Sequence, residues 1–163
     1  MTIAGEFYHI TGRIHGMKRE KQYSRFFQTA TRLFKRRCEM LAYCLMPDQY
    51  ELLLLEHEDE SIPALLVRLE SVWAKEKPGN SGGAEGRYTL KTVESDEALI
   101  RLSGTLHSAP VARGLCRVAS EWAHSSLADY TGKGWDRLVH TDYVMRHFDS
   151  AEAYESFVNG CRA

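Results

Sequence analysis

Two apolar runs joined at a proline, LAYCLMPDQYELLLLEHE over 41–58, limit what this chain can fold into more than any other stretch. Each run is too short for an ordinary helix and rich in Leu and Tyr, which predicts two buried strands at 41–46 and 49–57. Pro47 ends the first and Asp48 opens the turn. Alternation along the second puts Gln49, Glu51, Leu53 and Leu55 on one face and Tyr50, Leu52 and Leu54 on the other. Four successive leucines, Leu52 to Leu55, leave no polar position, so both faces of this strand need cover.

The flanking sequence supplies that cover. Residues 7–14 alternate as a first strand, and Tyr23, Phe26, Phe27, Ala30 and Phe34 recur at helical spacing over about 20–37. Ser61 predicts the cap of a second helix, with Ile62, Leu65, Leu66, Leu69, Val72 and Trp73 as its apolar stripe and an end near Pro78. The Gly/Ser-rich stretch 79–86 reads as a loop and 87–93 as a further strand. Ser95 caps a third helix, with Asp96 and Glu97 in its first turn, Leu99, Leu102 and Leu106 on one face and a stop expected at Ala109-Pro110. This order predicts an α+β protein, an antiparallel sheet with helices packed on it, the third helix covering the second face.

Charge narrows the function classes. A formal net charge of −1 removes any global electrostatic argument for nucleic acid, so such an argument has to be local. Arg13, Arg25, Arg32, Lys35 and Arg36 supply one, crowding the first strand's end and the first helix, and with Arg87 they are the candidate phosphate contacts. Tyr23, Phe26 and Phe27 interleave with them but at core spacing rather than as stacking platforms. The four cysteines include no C-x-x-C pair, which points to buried thiols, and the seven histidines are isolated, so none is assigned a catalytic role. No basic leader or long apolar run is evident, and the expectation is a cytoplasmic protein without a membrane anchor.

The stretch Tyr-Cys-Leu-Met-Pro-Asp-Gln-Tyr-Glu-Leu-Leu at 43–53 resembles the metal-binding strand of the REP-associated tyrosine transposases, a branch of the single-tyrosine HUH transposases. Further matches are the opening Tyr8-His9-Ile10-Thr11, Gly86-Arg87-Tyr88, Val93-Glu94-Ser95-Asp96, Pro110-Val111 with Gly114, and the tail around Trp122, Ser125, Ser126 and Tyr130. The resemblance implies a ferredoxin-like antiparallel sheet in a single transposase-like domain over 1–163, with a core at about 5–116 and a C-terminal extension at about 117–163.

It also implies a chemistry, the cleavage and joining of single-stranded DNA by a helix tyrosine on Mg or Mn held by two histidines. Here Gln49 and Glu51 stand at the histidine positions, Thr105 at the tyrosine and Ala109 at a family asparagine. Two oxygen ligands do not make a metal site, and a threonine hydroxyl is much less acidic than a phenol. The expectation is no catalytic residue, no metal, no cofactor and no cleavage. What the resemblance leaves is a DNA-binding protein for structured single strands such as hairpins, in DNA or RNA, acting as monomer or homodimer. Two alternatives are a protein-interaction or regulatory module that keeps only the fold, favoured by the near-zero charge and the acidic run at 56–60, and a residual metal-dependent transposase or nuclease.

Overall fold

The computed structural model describes residues 6–14, 16–57, 62–75, 88–134 and 138–161. Four strands, β1 (Glu6–Arg13), β2 (Cys38–Met46), β3 (Gln49–Glu56) and β4 (Tyr88–Val93), form one antiparallel sheet in the order β2-β3-β1-β4. The helices are α1 (Glu20–Phe34), α2 (Ile62–Lys75), α3 (Asp96–Ala112), α4 (Leu127–Tyr130), α5 (Asp142–Met145) and α6 (Ala151–Gly160), with a 3-10 turn at Ala119–Glu121. The α+β, ferredoxin-like architecture follows. Among the described residues no helix is long and apolar enough to cross a membrane.

β3 is central, and its four leucines are each at most 1% exposed, as an all-apolar strand covered on both faces requires. Register sorts the side chains. Tyr8, Ile10 and Gly12 of β1 lie opposite Leu54, Leu52 and Tyr50, while Phe7, His9, Thr11 and Arg13 lie opposite Leu55, Leu53, Glu51 and Gln49. On the Tyr50 face, Phe26 of α1 packs on both Tyr50 and Trp73 of α2, and Phe27 packs on Tyr43. A side chain at Gly12 would overlap the Tyr50 ring, which crosses the bare strand there so that its hydroxyl donates to Glu70 Oε1 of α2 at 2.9 Å.

The Glu51 face is covered by α3 and α5. Tyr143 of α5 stands edge-on to Phe7 and donates to Glu39, both on this face, and α5 in turn packs on α3. Residues 122–130 and 138–140 close the outer edge of β2: Trp122 Nε1 donates to Leu45 O, Leu45 N to His124 O, Ser126 N to Tyr43 O, Tyr130 Oη to Leu41 O and His140 N to Met40 O. Edge groups that would otherwise face solvent thereby find partners.

Several boundaries differ from expectation. β2 starts at Cys38 instead of 41, because Glu39 is held by Tyr143 and by His57 and His140, an environment no local pattern announces. α1 stops at Phe34, giving three turn residues before that strand. α3 has the predicted Ser95 cap, with Oγ accepting from Ala98 N at 3.0 Å, but it runs through Pro110 to Ala112. Proline removes one amide near the end of the helix, and the last carbonyls are satisfied instead by Leu115 N on Pro110 O and Gly114 N on Val111 O, with Gly114 at φ +73. The expected cap Ser61, the stop at Pro78, the loop 79–86, Arg87, His15 and Trp135 lie outside the described residues.

Candidate nucleic-acid interface

The two side chains that begin β3 face α3, as alternation requires. Glu51 is 9% exposed, and its Oε2 lies 2.6 Å from His9 Nε2 on the neighbouring strand. Gln49 Oε1 accepts from Arg113 Nη1 at 3.3 Å, and the same guanidinium grips both Asp48 oxygens at 2.8 and 2.9 Å. Because Arg113 caps α3, this contact fixes the helix over the Gln49 end of the sheet and puts Thr105 on the Glu51 side. Thr105 Oγ1 donates back to its own helix, to Arg101 O and Leu102 O at 3.2 and 3.1 Å.

These donors do not fit the divalent ion that the resemblance implies. The carboxylate of Glu51 is committed to His9, the Gln49 carbonyl oxygen to Arg113, and Arg113 places a fixed cation beside them. Among the described residues no group of three His, Cys, Asp or Glu side chains is placed to hold a metal. Cys44, opposite Glu51 on β2, is fully buried, and its thiol is pushed well up first by that burial and then by Glu51. It is a packed, protonated thiol. The His9–Glu51 pair escaped the sequence reading, although the parity of β1 and β3 could have found it once their antiparallel pairing was assumed.

The basic residues fall into two groups. Lys21, Arg25 and Arg32 are exposed along one side of α1, a stripe of roughly 16 Å at 1.5 Å per residue, and exposed Lys35 and Arg36 continue it past the helix end. Among the described residues, none of Arg25, Arg32, Lys35 and Arg36 enters an ion pair. Arg13 is exposed on the opposite, Gln49 face of the sheet. The aromatics interleaved with the α1 cations pack inward: Tyr23 stacks on His124 at 3.8 Å, and Phe26 and Phe27 meet Tyr50 and Tyr43.

No family profile matches the chain, and no curated protein matches it. Among solved structures it is similar to a REP-associated tyrosine transposase bound to a REP hairpin, with a TM-score of 0.66 and 13% identity over 88% of this chain and 90% of that one. At this identity the likeness is one of fold, a transposase-like one.

Proposed function

We propose that this chain binds structured single-stranded DNA through phosphate contacts and neither cuts nor joins it. The observation that carries the reading is the α1 stripe, with Arg25, Arg32, Lys35 and Arg36 exposed and in no ion pair among the described residues. A row of like charges raises the local anion concentration, and a phosphate backbone supplies the spaced counter-charge it lacks. The structural neighbour's bound REP hairpin supports a structured DNA as the ligand. Arg13 and Arg87 are further candidate contacts, and RNA of the same shape offers the same phosphates.

Inactivity rests on the replaced positions. Gln49, Glu51 and Thr105 stand where the resemblance puts two imidazoles and a phenol, and each is tied to another protein group. A hydroxyl bonded to its own helix, beside a carboxylate paired with His9 and an amide oxygen paired with Arg113, has no free base at hand among the described residues to activate it as a nucleophile.

Hairpin DNA carrying a single-stranded flank, titrated against the protein at several salt concentrations, tests both halves. Affinity should fall by about 0.7 log units per log unit of salt for each single-strand phosphate neutralised, and charge reversal at Arg32 and Lys35 should weaken all sequences alike. Incubation with Mg²⁺ or Mn²⁺ should leave the DNA intact, with no covalent adduct. Absence of any binding at low salt would favour a protein-interaction module, and an adduct on a tyrosine would refute the loss of activity.

A further inference from the structure

The end of α1, the first half of α2 and the segment at Leu138 enclose a cleft of about 760 Å³. Arg32, Lys35, Arg36 and Arg37 line it from the α1 side and Arg68 from α2, and among the described residues no acidic side chain lines it. Arg68, like Arg32, Lys35 and Arg36, is in no ion pair among the described residues. The partial negative charge at a helix C-terminus offsets one such cation, and Arg32, Lys35, Arg36 and Arg68, converging from two segments, raise the local concentration of anions in the cleft.

A second, smaller recess of about 220 Å³ adjoins it, sharing Thr31, Lys35 and Leu138. Its remaining walls are Phe34, Cys38, Met40 and His140, so with Leu138 its lining joins four apolar side chains to the polar Thr31, Lys35 and His140. Leu138, 40% exposed, stands where the two spaces meet. His140 is held at the recess by its Nδ1, 3.1 Å from Glu39 Oε1. Cationic walls beside a partly apolar slot match the two halves of a nucleotide, whose phosphate needs counter-charge and whose base needs a dry surface.

Resting on the nucleic-acid reading above, we infer that this cleft holds an unpaired nucleotide of a single-stranded flank. Its phosphates lie against Arg32, Lys35, Arg36 and Arg68, and its base enters the recess past Leu138. The cleft lies among the helices of the Tyr50 face, across the sheet from Glu51 and Thr105, so a strand held there is kept away from the positions where the resemblance puts the cutting chemistry.

The test compares two fluorescent DNA hairpins with the full chain, one blunt and one carrying a short single-stranded flank, together with a version of the flank made abasic. The flank should raise wild-type affinity by about fivefold or more, and removal of its bases should abolish the gain. Leu138→Gln and Arg68→Ala should each lose most of that gain, and Leu138→Gln should bind the blunt hairpin within about twofold of wild type because it alters no cation. Both positions are exposed, and an unchanged thermal midpoint verifies folding. A flank-dependent gain that survives both substitutions, or no gain at all while hairpins still bind, overturns the cleft and leaves the function reading standing. Failure of the wild type to bind either hairpin removes both.

Discussion

His107 is fully buried on α3, with Nδ1 2.8 Å from Tyr154 Oη and Nε2 2.7 Å from Ser126 Oγ. One ring thereby ties three helical segments together, and burial holds it neutral by lowering its pKa from 6.5 to about 3. The sign of the consequence is fixed. Between those two values the unfolded chain binds a proton that the folded chain excludes, so the stability this group contributes is complete above about pH 6.5 and is lost as pH falls toward 3. Urea unfolding should show stability dropping by up to about 1.4 kcal/mol per pH unit from this group over that range, and His107→Gln, though less stable at pH 7, should flatten the curve. An equally steep curve in the variant would show that other groups set it. A sequence reading that treats histidines as isolated cannot see this one, because both partners are distant in the chain, 47 and 19 residues away. Thr105 and Glu51 illustrate the complementary case: alternation put Glu51 on the Gln49 face and the family resemblance singled out Thr105, but their bonds to Arg101, Leu102 and His9 are seen only in the structure.

Elements with strong internal periodicity were legible; those defined by what they lean on were not. The amphipathic stripe of α1, the apolar β3 and the Ser95 cap of α3 each follow from a few neighbouring residues. The four-residue helices α4 and α5 have too little sequence to show a period; α4 is held by the fastening of residues 122–130 to β2, and α5 by Tyr143 on Glu39 and Phe7. Ser126 is the centre of that fastening. Its Oγ accepts from Tyr43 N at 2.9 Å and meets His107 Nε2, while its own amide donates to Tyr43 O. Ser126→Ala should cost about 1–3 kcal/mol by leaving a backbone amide and a buried ring nitrogen without their partner. Amide exchange gives the diagnostic pattern: Tyr43 N–H should exchange faster, while Leu45 N–H, which donates to His124 O, should change much less. Equal acceleration at both amides would mean the whole segment detaches as a unit.

For the molecule as a whole, the sheet is a partition, and the cations proposed to meet DNA lie on both sides of it. Arg13 shares the Gln49 face, and the α1 cations lie over the Tyr50 face. If one nucleic acid contacts both, Arg13→Ala should reduce the salt slope by about 0.7, as any single α1 cation does, and its effect should add to theirs. An unchanged slope in Arg13→Ala would confine the DNA to the helical side. Fold class was legible because strand and helix periods alternate cleanly along the chain, whereas the cleft at Arg68 and Leu138 unites residues from three separate segments and has no signature in any one of them. The covered edge of β2 also has a consequence in time. Tyr43 waits for Ser126, 83 residues later, so during synthesis at about 5–20 residues per second the strand emerges roughly 4–17 s before the segment that shields it. For that interval an apolar strand shows bare backbone to any neighbouring chain, which makes the nascent protein, rather than the finished one, the form most exposed to aggregation.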